Sequence, residues 1–428
     1  MQSTAASCHA MLMAAPASGQ GKTLTTAALA RIYRNRGLRV QAFKCGPDFI
    51  DGMILEAATG KPVYNLDLGM CGEADAQRLL HQAAQDNDVI LLEGVMGLYD
   101  GKPSCADIAE RFGIPVALVL NAKAMAQTAA AIAYGLYSFR PSLKRAGVIA
   151  NQVGSDGHAK MIKEALPADI PWLGAMKYDA QLSLPERHLG LHLAQEITDI
   201  DQRIEAAAQL LGQDMPLPPA VHFAVPEQQA ITPLLKGKTI AVAKDAAFCF
   251  TYQANLDLLQ ALGANIRFFS PLHDAQLPAA DAYWLPGGYP ELHLAQLQHN
   301  HSMRESLHAV VEANKPILAE CGGMLALGET LNGQAVFGLL PGSADIQPKL
   351  QGLGTQHATF PVTNDGEATI GAHTFHYGRF ETDLPVIAQG KGKYGAGEAV
   401  YRHQNITASF LHFYFPSNPS LAAQFFLS

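Results

Sequence analysis

Continuous apolar runs punctuate the first half of the chain, over residues 11–15, 40–43, 89–92, 116–120 and 147–150. Runs that do not alternate fit strands covered on both faces, and the stretch at 24–34 between two of them repeats its apolar positions at helical spacing. Strands alternating with helices predict a parallel sheet with helices on both sides. The pattern breaks between residues 211 and 236, where five prolines interrupt a stretch with little periodicity. This reads as an inter-domain linker. A second β/α series follows, with strands expected over 239–243, 266–269, 282–285 and 317–319 and a helix over 252–262. Toward the C-terminus the chain becomes richer in glycine-punctuated, strand-like segments. The expected organisation is a domain over 1–210, a linker over 211–236 and a domain over 237–428, all α/β in class.

With 428 residues, 48% hydrophobic and 16% charged, the chain has apolar material for two buried sheets and is not a disordered polymer. A net charge of −8 argues against nucleic acid or an anionic membrane as partner, since both require a cationic face. Any anionic ligand must be held by local groups. The six cysteines are scattered, without a CxxC or zinc-type spacing. No lysine or arginine precedes Lys22, as a signal peptide would require. The longest near-apolar stretch, 124–139, is interrupted by Gln127 and Thr128 and falls short of the ~20 residues of a membrane span. The expectation is a soluble cytoplasmic enzyme.

The segment MLMAAPASGQGKTLTTAALA sets a glycine-rich turn between an apolar strand and a helix. Small residues let backbone amides approach phosphate oxygens, Lys22 adds a positive charge, and the helix start supplies further donors. Thr23 is placed to ligate Mg²⁺ through its hydroxyl. Pro16 stands where the strict GxxxxGK[ST] pattern has its first glycine. The bland alternative is a glycine-rich turn that only caps a helix.

Acidic side chains follow two other predicted strands, Asp48 and Asp51 in KCGPDFIDG and Glu93 and Asp100 in VILLEGVMGLYDG. Carboxylates at the carboxyl ends of parallel strands face the crevice that the phosphate loop lines, where they can hold Mg²⁺. Asp51, just before a helical stretch, suits a helix cap as well as a ligand.

In the second half, KPILAECGGMLALGE runs from a buried strand into Cys321 and two glycines. A cysteine on a tight strand-to-helix turn is presented for attack, and the helix start is expected to lower its pKa. The Gly322 amide can face a developing oxyanion. The turn in WLPGGYPE offers Gly288, beside Gly287, as a second donor. A cysteine nucleophile needs a base, and His412 in ASFLHFYFPSNP lies on a strand-like run. On chemistry alone His357, His373 and His376 are its rivals.

In order, APASGQGKT, FKCGPDFID, ILLEGVMGLYDG, AMAQT, LPERHLGL, LPGGYPE, AECGGM, FHYGRFE and ASFLHFYF resemble the cobyrinic acid a,c-diamide synthase family, including its hydrogenobyrinic acid variant, over nearly the whole chain. The resemblance implies an N-terminal P-loop domain of the dethiobiotin-synthetase type, whose variant loop accommodates Pro16. It implies a C-terminal class I, triad-type glutaminase domain of flavodoxin-like fold. It further implies that ATP phosphorylates the a- and c-acetate side chains of a corrin polycarboxylate, and that ammonia from L-glutamine attacks each acyl phosphate, in cobalamin biosynthesis. By position, Ser18, Gly19, Gln20, Gly21 and Lys22 hold the ATP phosphates, while Thr23, Asp48 and Glu93 are the candidate Mg²⁺ ligands. Asp51 and Asp100 lie close to the reacting groups, and Arg187 and His188 are candidate contacts to substrate carboxylates. Cys321 forms the glutamyl thioester with His412 as base. The partners implied are small molecules, with no nucleic acid and no membrane, and a homodimer is allowed. The usual triad has Glu two residues after its His; Tyr414 stands there, and the cobyrinic branch likewise lacks that Glu, which implies a Cys–His dyad.

The nearest rival is the same diamidation on nickel-sirohydrochlorin. Cobyric acid synthases are longer and differ in their motifs. A partitioning-type ATPase would share the P-loop but leave Cys321 and His412 without a role.

Overall fold

The computed structural model describes residues 5–182, 186–187, 190–191, 196–227, 230–362, 366–393 and 397–427. Two compact units emerge, one built on the chain up to residue 68 and from 72 to 228, the other on 69–71 and from 229 onward. Among the described residues no helix is long and apolar enough to cross a membrane.

The first unit contains strands β1 (Ala6–Ala14), β2 (Val40–Cys45), β3 (Tyr64–Leu66), β4 (Val89–Glu93), β5 (Val116–Asn121), β6 (Arg145–Val153) and β7 (Trp172–Lys177). A small pair, β8 (Glu186–Arg187) and β9 (Gly190–Leu191), precedes β10 (Ala220–Phe223). The main sheet runs β3-β2-β4-β1-β5-β6-β7, parallel throughout. Leu12, Ile90, Leu92, Leu118 and Leu120 pack on one face, while Met11, Met13, Leu91 and Val119 pack on the other. Two covered faces explain why these strands lack polar alternation, and each such buried side chain contributes roughly 1.5–3 kcal/mol.

The second unit carries β11 (Thr239–Ala243), β12 (Asn265–Phe269), β13 (Ala282–Leu285) and β14 (Ile317–Glu320). There follow β15 (Thr330–Leu331), β16 (Gln334–Ala335), β17 (Ser343–Ile346), β18 (Gly352–Val362), β19 (Gly366–His376) and β20 (Gly378–Glu381). The last strands are β21 (Val386–Gly392), β22 (Ala399–His403), β23 (Ile406–Ser409) and β24 (His412–Phe413). The order β12-β11-β13-β14-β23 forms a parallel half, and β22-β21-β18-β19-β24 extends it as an antiparallel half. Counted along the chain, the parallel strands are ordered 2-1-3-4-5, the flavodoxin-like arrangement.

The sequence reading differs from the structure at the ends of the apolar runs. β1 begins at Ala6, ahead of its apolar run, because its first half alternates buried and exposed positions and pairs antiparallel with β10. That partner lies inside the stretch read as linker, so residues 220–223 belong to a sheet despite the flanking prolines. The strands β3 and β7 were not anticipated; β3 spans only three residues, too few for a periodicity to register.

Candidate functional site

In the first unit the loop after β1 leads into the helix Lys22–Asn35. Gly21 stands at the helix entrance with φ 84°, in the left-handed region. A Cβ there would meet Asn151 Nδ2 at 2.1 Å, so glycine is required twice over. Asn151 Nδ2 donates to the Gln20 carbonyl at 2.9 Å, and the Asn121 amide donates to Gln20 Oε1 at 2.9 Å. The loop is thus pinned from the carboxyl ends of β5 and β6, by two asparagines that sequence reasoning missed. Among the described residues the amides of Ser18, Gly19, Gln20 and Gly21 donate to no protein acceptor, which leaves them for an anion. Lys22 is buried and reaches across the loop, donating from Nζ to the carbonyls of Met96 at 2.8 Å and Ala17 at 3.2 Å. Burial, together with the neighbouring Lys44 charge, lowers its pKa.

Behind the loop lies a compact charge cluster. Thr23 Oγ1 donates to Glu93 Oε1 at 2.6 Å and stands 3.3 Å from Asp51 Oδ1. Lys44, unnoticed in the sequence, places Nζ 2.6 Å from Asp51 Oδ2 and 3.3 Å from Glu93 Oε1. Burial alone would discharge Lys44, but the charges of Asp51, Glu93 and Asp48 outweigh it and raise its pKa. Glu93 is fully buried and its carboxyl is pushed up to about 7, chiefly by burial, against the pull of Lys44. Its Oε2 has no hydrogen-bond partner among the described residues. Asp48 is pushed up to about 6 by burial and then by Asp51. Of the two acids in KCGPDFIDG, Asp48 accepts from the Asp51 amide at 2.8 Å at the start of helix Ile50–Thr59, while the Asp51 carboxylate turns to Thr23 and Lys44. Asp100 is exposed on the loop after β4, where its Oδ2 accepts from the Gly97 amide at 2.9 Å.

Among the described residues no three His, Cys, Asp or Glu side chains form a ready metal cage. Mg²⁺ does not need one, since it is commonly held by one or two carboxylates plus substrate phosphates. The hard oxygens of Thr23 and Glu93, with one Glu93 oxygen unsatisfied, fit that ion, while the Asp51 carboxylate is paired with Lys44. Arg187 lies in β8, and its side chain is outside what the structure describes, while His188 lies outside the described residues.

In the second unit β14 delivers Cys321 at φ 46°, ψ −109°, immediately before the helix Gly322–Leu327. A non-glycine residue held there is strained, as a nucleophile elbow is. Its amide donates to the Ser409 carbonyl at 2.7 Å. The two Gly-Gly pairs mesh: a Cβ on Gly322 would fall 2.9 Å from Gly288 N, and one on Gly323 would fall 2.1 Å from the Leu285 carbonyl oxygen. A Cβ on Gly287 would fall 2.2 Å from His412 Cε1. The turn at 287–288 therefore packs against both the Cys321 elbow and the His412 ring.

The thiol differs from expectation. Burial, and secondarily the Glu291 charge, push the Cys321 pKa up. The start of a six-residue helix does not offset the desolvation of a thiolate. His412 is buried, and burial followed by the nearby His373 and His376 holds its pKa well below the usual value. A neutral imidazole is the form that can take a thiol proton. Among its rivals, His357 is exposed on β18. His376 is occupied by the Gly378 carbonyl at 2.8 Å and Glu398 Oε1 at 3.0 Å, and stacks on Phe410. His373 pairs with His412 across β19 and β24, the rings 6.4 Å apart.

Glu320, also missed, is the residue before the cysteine. Its Oε2 accepts from Trp284 Nε1 and its Oε1 from the Phe413 amide, both at 2.9 Å. Burial pushes this carboxyl up to about 8, against the two N–H bonds.

Phosphate-loop geometry over an acid–lysine cluster in one unit, and in the other a cysteine elbow and a neutral histidine packed against the same turn, define a two-domain, nucleotide-using glutamine amidotransferase. In agreement, residues 11–191 match the CobQ/CobB/MinD/ParA nucleotide binding domain and residues 239–420 the CobB/CobQ-like glutamine amidotransferase domain. The chain is 53% identical to the hydrogenobyrinate a,c-diamide synthase of Stutzerimonas stutzeri, over 98% of this chain and 99% of that one. It is 51% identical to the protein of that name from Pseudomonas aeruginosa, over 98% of each. It is 46% identical to the cobyrinate a,c-diamide synthase of Herminiimonas arsenicoxydans, over 100% of this chain and 98% of that one. The chain belongs to the cobyrinate/hydrogenobyrinate a,c-diamide synthase family.

Proposed function

We propose that this chain uses ATP and L-glutamine to convert the a- and c-acetate carboxylates of hydrogenobyrinic or cobyrinic acid to amides, in the cytoplasm, as a step of cobalamin biosynthesis. The observation that carries the reading is the strained Cys321 elbow packed against the turn that touches His412, in a chain that also bears the phosphate loop. In the glutaminase reaction His412 takes the Cys321 proton as sulfur attacks the glutamine carboxamide, and the Gly288 and Gly322 amides receive the oxyanion. Ammonia leaves, and water releases glutamate from the thioester.

In the synthetase domain the amides of Ser18, Gly19, Gln20 and Gly21, with Lys22, cradle the phosphates. Thr23 and Glu93, supported by Asp48, would hold Mg²⁺, whose charge would offset that developing on the transferred phosphoryl group. A substrate carboxylate oxygen attacks the γ-phosphorus and ADP leaves; ammonia then attacks the acyl carbon and inorganic phosphate departs. Lys44, Asp51 and Asp100 flank the acceptor, and Arg187 and His188 serve as contacts to the other carboxylates. Six free thiols, five of them buried, fit a cytoplasmic protein. We assign the synthetase domain to 1–210, with the strand 220–223 added to its sheet, and the glutaminase domain to 237–428. Purified protein supplied with ATP, Mg²⁺ and glutamine should give the diamide of hydrogenobyrinate or cobyrinate by mass spectrometry. Turnover of nickel-sirohydrochlorin alone would replace the substrate assignment.

A further inference from the structure

The strand carrying His412 is oddly held. β24 forms its ladder with β19 at the edge of the sheet, six places along the order from β14, and among the described residues no ladder joins β24 to β13 or β14. Its other edge is satisfied by side chains. Phe413 donates its amide to Glu320 Oε1 at 2.9 Å, and its carbonyl accepts from Asn255 Nδ2 at 2.7 Å. Asn255 Oδ1 in turn accepts from the Phe415 amide at 2.8 Å. Glu320 points into the apolar layer of Leu318, Trp284, Phe413 and Phe415, where an acid has no packing advantage. Two well-made hydrogen bonds are the return on that burial.

We propose that Glu320 is a positioning residue for the glutaminase reaction, one carboxyl that fixes the His412 strand against the Cys321 strand and, through Trp284, against the strand feeding the 287–288 turn. The inference rests on the glutaminase reading above. Glu320 neighbours Cys321 in sequence, Trp284 lies three residues before Gly287, and Phe413 follows His412, so each bond acts next to a working group. In either protonation state both carboxyl oxygens accept an N–H. A glutamine cannot do this, because its Nε2 has no acceptor lone pair and must face one of the two donors.

The test measures the rate of Cys321 thioester formation after mixing with glutamine, the KM for glutamine, and amidation with free ammonia. Glu320→Gln should slow thioester formation on the order of 100-fold, the scale of a small misplacement of reacting groups, with glutamine KM and ammonia-dependent turnover unchanged. Trp284→Phe alone should cost only a few-fold. The double variant E320Q/W284F removes the donor that opposes the amide, so it should recover roughly 10-fold over E320Q, a coupling of neighbours that independent sites would not show. Thioester formation within twofold of wild type in E320Q overturns the proposal. So does multiplication of the two single effects, or a collapse of glutamine KM or of the melting transition, which would make Glu320 merely structural. Failure of the wild-type chain to form a thioester on Cys321 overturns the glutaminase reading, and this proposal with it.

Discussion

Lys44 Nζ lies 2.6 Å from Asp51 Oδ2, a buried ion pair at the carboxyl end of β2 that also reaches Glu93. The lysine is 2% exposed and Glu93 is fully buried, so removing the lysine would leave a buried acid without its cation. Lys44→Met should therefore destabilise the first unit by about 3–5 kcal/mol, the usual cost of orphaning a buried charge. Ammonia-dependent amidation should fall ~100-fold or more, because the cation of the proposed acceptor site is lost. Denaturant titration and steady-state turnover check the two effects separately. Wild-type turnover in a correctly folded variant would remove Lys44 from the site.

Lys22 is anchored by the Met96 and Ala17 carbonyls across the loop mouth. Lys22→Ala should abolish ATP-dependent amidation, by on the order of 100-fold or more, while basal glutaminase activity stays. An amidation rate above a few per cent of wild type would sink the phosphate-loop assignment.

What was legible in the sequence follows from what is local. A glycine-rich turn between an apolar strand and a helix announces itself, as do ECGGM and PGGYPE, because close backbone approach needs glycine. Glu320 ends an otherwise apolar strand and Lys44 lies one residue from the end of a mostly apolar one, and that misplaced charge was the available signal. Their partners could not be read. Glu93 and Asp51 reach Lys44 from separate elements, and Phe413 meets Glu320 across 93 positions of chain. The thiol of Cys321 misled for the same reason: a helix start is visible in sequence, whereas the desolvation that outweighs it belongs to the fold.

Division of labour between the units should appear in two variants. Cys321→Ala should lose glutamine-dependent amidation and keep the reaction with concentrated free ammonia. His412→Asn should behave alike, with thioester formation slowed severely, whereas Tyr414→Phe should change it only a few-fold, since a phenol is neutral near pH 7 with a pKa of ~10. Rapid labelling of Cys321 in the His412 variant would reassign the base, and His373, in register with His412, would be examined first.

His373 makes the second unit sensitive to acid. Burial holds its pKa down to about 3 against 6.5 for the free side chain, and Nδ1 has no partner among the described residues. A depressed folded pKa contributes stability that is present above 6.5 and lost as pH falls toward 3. Glu320 has the opposite sign: pushed up to about 8 from 4.5, it contributes stability below 4.5 that is lost as pH rises through 8. Both terms operate in the wild-type chain, so the comparison that isolates the histidine is His373→Phe against wild type. Between 6.5 and about 4.5 the variant should gain relative stability by about 1.4 kcal/mol per pH unit, the weight of one proton. Urea unfolding of the second unit at several pH values across that window reads the slope. A pH-independent difference between the two proteins would mean that His373 is protonated in the folded chain.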